Sequence, residues 1–442
     1  MSVKISQLIS AWREMRGGHK RWSVLALLFM ATVIMFVDRQ SLSVLAPSII
    51  ADLHITEEQY SYVVMAFMIS TGLAQLPLAP LLDKIGVRIG LGISFVVWTI
   101  GSALHAITTG AFSLMIYRVI LGIGEAADIP ASSKACAEWF PPKERAFAIG
   151  VFTGGTAIGA LVTPPLMAVL ATHFGWRIAF LLVPLLSTLW LIAWFRVYHS
   201  PKTHPSLSAE ERELIARETV STEAPVRDPA RQKSRLWLLG NKCFWGIAIS
   251  RMVTAPISAF GWYWLPLFLS QRYHLSLIEI GLVAWIPYLA QDIGSMLGGA
   301  FSGSLIKHGR SPAKARMITI GIGAVVMLAL MASDSVTAWL AVALISATTF
   351  ALGSYSANIF ALSTDQFDSG DVATVVGWSQ ATLFLGGSTF TFFLGRYAAA
   401  GDYLPTLTAA SGLALFGFVI LMILNWKGQP RGDRSREHSL PA

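Results

Sequence analysis

Apolar stretches of about 20 residues, the length that crosses a bilayer core of roughly 30 Å as a helix, recur along the whole chain between short polar segments. We therefore predict an all-α integral membrane protein with twelve transmembrane helices. Six are expected at residues 22–46, 60–81, 88–106, 111–132, 146–170 and 177–198. Six more are expected at residues 244–269, 279–304, 315–332, 336–362, 372–397 and 404–426.

One long charged segment divides these helices into two sets. Within it, the residues from Ser208 to Glu211 have the pattern of a capping box, which predicts a short surface helix. A weak internal repeat aligns 138–140 with 365–367, so we expect two pseudo-symmetric halves. The predicted organisation is an N-terminal tail (1–21), a six-helix bundle (22–198), a linker (199–243), a second six-helix bundle (244–426) and a C-terminal tail (427–442).

Composition agrees with a membrane protein. The 442 residues are 54% hydrophobic and only 13% charged, whereas soluble domains carry about 25% charged residues. The net charge of +8 could indicate nucleic acid as a partner. However, most basic residues lie in the two tails, the linker and loops on one side of the predicted membrane, which places both termini in the cytoplasm. The basic charge therefore predicts topology and no nucleic-acid partner.

Ionisable side chains within predicted spans are costly in a membrane and are candidates for function. Arg118 and Glu125 are seven residues apart, which places them on one helix face. At a rise of about 1.5 Å per residue, Asp38 is level with Arg118. Arg39 adjoins Asp38, but adjacent helical residues diverge by about 100°, so it could point away. The full set is Asp38, Arg39, Arg118, Glu125, Asp128, Arg251 and Asp292.

This mixture of charges fits a proton-coupled anion transporter. A buried carboxylate beside a guanidinium can be poised to bind and release a proton, so we expect Asp38 and Glu125 to couple protons. Arg118 cannot release its proton, and its planar fork fits a substrate carboxylate. The alternative is that these groups form ion pairs that only fix helix positions. Asp128 could pair with Lys134 in the same way.

The other candidate residues are less constrained by the pattern. Arg251 could face the cavity or extend to the cytoplasmic surface, and the direction of Asp292 is open. Tyr62 and Tyr355 each offer a hydroxyl to a substrate. The sequence has no phosphate-binding loop, no metal-ligand spacing and no set of residues placed for covalent catalysis. We expect no cofactor and no enzymatic activity.

These residues resemble the major facilitator superfamily over nearly the whole chain. The loop Leu82-Asp-Lys-Ile-Gly-Val-Arg88 is similar to the motif between its second and third spans. Phe36–Pro47 and Glu138–Arg145 resemble the anion:cation symporter family within it. The resemblance implies proton coupling by Asp38 and Glu125, substrate binding by Arg118 and Arg39, and gating by Asp83, Arg88 and Arg145.

Within that family the chain resembles hexuronate transporters, through Ile129–Lys134 and Phe244–Arg251. Thr71 stands where sugar-acid members usually carry Tyr, and Ala255 stands where hexuronate carriers tend to have an acid. The resemblance implies a monomer in the bacterial inner membrane that imports a hexuronate-like anion by proton symport. An aromatic or other carboxylate remains open as substrate, as do exchange and facilitated diffusion. A membrane sensor or enzyme is the alternative from another class.

Overall fold

The computed structural model describes residues 19–140, 142–201, 203–205, 207, 213, 235–367 and 369–425. Of the surface helix predicted from Ser208, these ranges include only Glu213. All regular structure in this part of the chain is helical. The N-terminal group comprises α1 (His19–Leu53), α2 (Glu57–Leu104), α3 (Ala111–Glu125), α4 (Asp128–Trp139), α5 (Pro142–Phe174) and α6 (Trp176–Val197). The C-terminal group comprises α7 (Lys242–Ala259), α8 (Leu265–Tyr273), α9 (Leu277–Val283), α10 (Ile286–Lys307), α11 (Pro312–Val326), α12 (Ala338–Gln366), α13 (Ser369–Ala399) and α14 (Leu404–Asn425).

Two local features divide the helices of the N-terminal group. Within α2, Gly86 has φ 75° and ψ 161°, a conformation that side chains with a Cβ rarely adopt. The predicted spans 60–81 and 88–106 therefore lie on either side of this break. The predicted span 111–132 is divided into α3 and α4. Pro130 in the first turn of α4 lacks an N–H, and its ring disfavours a helical bond at Ala126.

A π-helical turn, Phe260–Trp264, connects α7 to α8. The backbone N–H of Leu265 donates to the carbonyl of Phe260, five residues earlier. The next residue is Pro266, which has no N–H to donate. The carbonyl of Gly261 therefore has no donor at either the fourth or the fifth residue after it.

Two tyrosines from other helices donate to carbonyls of this π-turn. The hydroxyl of Tyr288 on α10 donates to the Gly261 carbonyl at 2.8 Å. The hydroxyl of Tyr60 on α2 donates to the Tyr263 carbonyl, also at 2.8 Å. The π-turn is thereby attached to both helix groups.

The two groups share one packing pattern. In the N-terminal group α1 packs on α5 and α2 on α3, while in the C-terminal group α7 packs on α13 and α10 on α12. Between the groups α2 contacts α13, α9 contacts α5 and α8 contacts α1. At Gly395 on α13, an added Cβ would lie only 2.4 Å from the Cβ of Ser61 and 3.0 Å from the carbonyl oxygen of Glu57, both on α2. The helices touch here almost backbone to backbone.

Polar contacts between the groups lie where α1 ends and α2 begins, which we call the α1–α2 end. Gln271 Nε2 donates to Glu57 at 2.5 Å, and Arg396 Nε donates to Glu58 at 3.1 Å. The hydroxyl of Tyr62 donates to Glu58 at 2.7 Å. The hydrogen bonds from Tyr62 and then Arg396 lower the pKa of Glu58. These contacts hold the two groups together at this end.

The outer surface of the bundle suits a lipid environment. Large apolar side chains such as Phe112, Leu185 and Met296 are exposed along the helices, while the polar side chains described below are buried. Among the described residues, nine helical segments are long and apolar enough to span a membrane. These segments are Lys20–Leu53, Lys84–Ile107, Phe147–Phe174, Trp176–Val197, Lys242–Tyr273, Leu277–Lys307, Pro312–Ala332, Ala338–Gln366 and Leu404–Asn425.

Candidate functional site

A buried ion pair joins α1 to α3. Both Nε and Nη2 of Arg39 donate to Oε2 of Glu125, at 3.1 and 2.8 Å. The Glu125 side chain is fully buried and that of Arg39 is 11% exposed. The second oxygen of Glu125 has no hydrogen-bond partner. Arg39 therefore points toward Glu125, although its position next to Asp38 allowed it to point away. We call Arg39, Arg118 and the Phe67 ring that contacts both of them the arginine cluster.

Arg118 is a buried guanidinium whose hydrogen-bond donors are not satisfied. It lies two turns before Glu125 on α3 and is 1% exposed, and its Nε and Nη2 have no partner among the described residues. The ring of Phe67 contacts both arginines: its centroid is 5.4 Å from Cζ of Arg118 and 5.5 Å from Cζ of Arg39. Cation–π contacts of this kind stabilise a guanidinium but leave its N–H groups free. Unpaired donors in a buried site are costly, so the arrangement favours an anion from outside the chain.

Asp38 lies on the other side of α1 from Arg39. It accepts hydrogen bonds from Trp98 Nε1 and, at 3.0 Å, from Ser102 Oγ, both on the second part of α2. Asp38 is fully buried, and its charge is within electrostatic range of Arg118. The structure thus brings Asp38, Arg39, Arg118 and Glu125 into one region but directs Asp38 into the interior of the N-terminal group. Neither Trp98 nor Ser102 was predicted as a site residue.

Asp128 follows the cluster on α4 and is also buried. Its Oδ2 accepts from Thr32 Oγ1 at 3.3 Å, and its Oδ1 has no partner. The expected partner, Lys134, instead donates to the Leu82 carbonyl at 3.0 Å. Asp128 therefore extends the row of polar groups between α1 and the α3–α4 junction.

Arg251 and Tyr355 meet in the C-terminal group. They line one small cavity together with Thr254 and Ser258. Arg251 Nη2 donates to Gln380, and its Cζ lies 4.5 Å from the Phe360 ring centroid. Its Nε has no hydrogen-bond partner among the described residues. It is 7% exposed, so it does not extend to the surface. The Tyr355 hydroxyl and Ser250 Oγ are 2.5 Å apart. Asp292 on α10 is only partly buried.

Thr71 and Tyr62 occupy different places. Thr71 is buried on α2 with an unpaired hydroxyl. A Cβ on Gly122 of α3 would lie 2.8 Å from that hydroxyl, so Thr71 is one turn from Arg118 along α3. Tyr62 is 36% exposed and donates to Glu58 at the α1–α2 end. Tyr62 therefore belongs to the contact between the groups and is not part of the arginine cluster.

Of the three residues expected to act in gating, only Arg88 has a described side chain. Its Nη2 donates to the Phe195 carbonyl at 2.6 Å, at the end of α6. It also lines a surface cavity of about 510 Å³ with Glu138 and Tyr198. The side chains of Asp83 and Arg145 lie outside the described part of the structure.

The family and the relatives of this multi-helix protein define its class, a multi-pass transporter and not an enzyme. The chain belongs to the Major Facilitator Superfamily, whose sequence model matches residues 28–391. It is a multi-pass protein of the bacterial inner membrane.

Individual relatives have names that refer to sugar acids. The chain is 32% identical to the hexuronate transporter of Escherichia coli (strain K12) over 92% of this chain and 94% of that protein. It is 34% identical to the galacturonate transporter of Dickeya chrysanthemi over 70% of this chain and 89% of that protein. It is 27% identical to a D-galactonate transporter of Escherichia coli, over 92% of this chain and 96% of that protein.

Among solved structures, the fold is similar to that of a D-xylose-proton symporter, with a TM-score of 0.73 at 15% identity over 93% of this chain and 98% of the other. It is also similar to an inward-facing bacterial homologue of the lysosomal transporter Spinster, with a TM-score of 0.72 at 17% identity over 92% and 97% of the two chains.

Proposed function

We propose that this chain is a secondary active transporter that imports a hexuronate-like sugar-acid anion with protons by alternating access. The observation that carries the proposal is the buried, unpaired guanidinium of Arg118 beside the Arg39–Glu125 ion pair. A carboxylate docking on Nε and Nη2 would supply the missing acceptors with charge-assisted hydrogen bonds. The names of the relatives support a sugar acid as the carrier of that carboxylate.

Proton coupling is assigned to Asp38 and Glu125. Glu125 has one oxygen bonded to Arg39 and one oxygen free. Asp38 is fully buried and bonded only to neutral groups, Trp98 and Ser102, in the described structure. Both carboxylates lie within electrostatic range of Arg118. A substrate anion on Arg118 would compete with them for its charge and favour their protonation.

The topology proposed with this function has twelve spans, formed by two six-helix bundles (22–198 and 244–426) with both termini and the linker in the cytoplasm. The α1–α2 end is then periplasmic. Because the polar contacts between the groups, among the described residues, lie at that end, we assign this conformation to the inward-facing side of the transport cycle. A reporter fusion in the linker or C-terminal tail that reads as periplasmic would overturn the topology.

Transport is tested with the purified protein in proteoliposomes. With an inward proton gradient, radiolabelled D-glucuronate or D-galacturonate should accumulate above its external concentration, and a protonophore should abolish the accumulation. D-galactonate and benzoate serve as competitors. Competition by benzoate stronger than that by either hexuronate would favour an aromatic acid as substrate. If no sugar acid binds or enters, the proposal is wrong.

A further inference from the structure

Tyr263 brings an unused hydroxyl from the C-terminal group to the arginine cluster. It lies in the π-turn, is 1% exposed, and its hydroxyl has no hydrogen-bond partner in the described structure. Tyr263 was not predicted as a site residue, because aromatic residues in such a segment are more often packing residues. The signal that could have identified it is Pro266, which leaves the preceding carbonyls without donors.

The position of Tyr263 is set by contacts on both sides. Its ring packs on Phe67 at an angle of 62°, with 6.2 Å between ring centroids. Phe67 also makes the cation–π contacts with Arg118 and Arg39. Its charge environment includes Arg39, Glu125 and Arg118. The phenol therefore packs on the same ring as the guanidinium groups of Arg118 and Arg39.

Two neighbouring tyrosines explain why this hydroxyl is available. The hydroxyls of Tyr60 and Tyr288 are both used to satisfy carbonyls of the π-turn. They fix the turn from α2 and α10, so the ring of Tyr263 is held without using its own hydroxyl. A single-turn π-helix is often found at a functional site, because it redirects side chains without ending the helix.

We propose that the Tyr263 hydroxyl donates a hydrogen bond to the oxygen on the carbon next to the substrate carboxylate, while Arg118 holds the carboxylate itself. This inference rests on the proposed function and names a substrate class, carboxylates with an oxygen at the adjacent carbon. Arg118 and Tyr263 both pack against the Phe67 ring, so one substrate molecule can contact both. The substrate would then bridge the two helix groups, one through each residue.

The test uses two ligands that differ at this one position. Tetrahydropyran-2-carboxylate has a ring oxygen next to the carboxylate-bearing carbon, and cyclohexanecarboxylate has a methylene there. Each competes with radiolabelled D-glucuronate for the purified protein. Since the oxygen adds one hydrogen bond, the wild type should prefer the oxygen-containing ligand roughly fivefold. In Tyr263→Phe that preference should fall to less than about twofold.

The matched control is Tyr198→Phe, which removes the hydroxyl of another buried tyrosine, one that donates to Glu138 just after the end of α6. It should keep the wild-type preference. The proposal would be refuted if Tyr263→Phe kept the preference, or if it weakened the binding of both ligands by the same factor. If Tyr263→Phe does not fold, 3,5-difluorotyrosine at position 263 keeps the ring and strengthens the donor, so the preference must rise. An unchanged preference there would also refute it. If wild type binds no D-glucuronate the proposed function fails, whereas glucuronate binding with an unchanged Tyr263→Phe preference contradicts this inference alone.

Discussion

Replacing Arg118 by lysine separates its charge from its geometry. Lysine keeps a positive charge on α3 but has a single nitrogen in place of the planar fork. In the structure Nε and Nη2 of Arg118 are both unpaired. A bidentate carboxylate would satisfy both donors, and lysine could replace only one of these bonds at the same position. We therefore expect Arg118→Lys to fold and to bind substrate weakly.

The size of the effect follows from the number of bonds lost. Hydrogen bonds to charged groups contribute about 1.5–3 kcal/mol each. Loss of one of the two, about 2 kcal/mol, weakens the affinity roughly 30-fold, since 1.4 kcal/mol corresponds to a factor of ten. Replacing the substrate carboxylate by a neutral amide should weaken wild-type binding through the same contact.

The assay is equilibrium binding of radiolabelled D-glucuronate to purified protein, with glucuronamide as competitor. The control is Arg177→Lys, because Arg177 is a half-exposed arginine at the α1–α2 end whose partner is Asp52. Exposed ion pairs contribute about 1 kcal/mol or less, and this one is distant from Phe67, so binding should be unchanged. If Arg118→Lys binds like wild type, or the amide competes as well as the acid, then Arg118 only fixes helix positions.

Three further results are expected. Asp38→Asn should retain substrate exchange but lose gradient-driven accumulation, and accumulation at the wild-type level would remove Asp38 from the coupling mechanism. The pKa of Glu58 is lowered, so its contact with Arg396 is fully formed above the ordinary pKa of 4.5 and is lost only as the pH falls through the lowered pKa. Glu58 therefore does not titrate between about pH 5 and 8, and Glu58→Gln should leave the shape of the plot of transport rate against pH unchanged in that range. Gly395→Val, whose Cβ would meet α2 at 2.4 Å, should widen the α1–α2 end in spin-label distance measurements. At Gly377 on the same helix, an added Cβ would lie within 4 Å of none of the described atoms outside its own helix, so Gly377→Val should not widen this end.

The part of the site that follows helical periodicity could be predicted from the sequence. The spacing of seven residues placed Arg118 and Glu125 on one face, and both do face the same cluster around Phe67. The direction of α1 could not be predicted, because two adjacent charged residues leave its rotation undetermined. The structure settles this through Trp98, whose indole N–H faces Asp38.

Contacts between helices that are distant in sequence could not be predicted from the sequence. Tyr62 and Tyr60 are two residues apart on α2, and only the packing decides that one donates to Glu58 and the other to the π-turn. The π-turn itself depends on donors from α2 and α10, which no local pattern contains. Conversely, the break at Gly86 agrees with the loop expected between two predicted spans.

The opposite directions of Asp38 and Arg39 have a consequence for how such a protein can diverge. These two residues are adjacent in sequence, yet one is bonded to Trp98 inside the N-terminal group and the other to Glu125 beside Phe67. Substitutions around Phe67 and the π-turn, where we propose that the cargo binds, can therefore leave the hydrogen bonds of Asp38 unchanged. If Asp38 carries the proton, as proposed, selection can change what is carried while the use of the proton gradient is inherited intact.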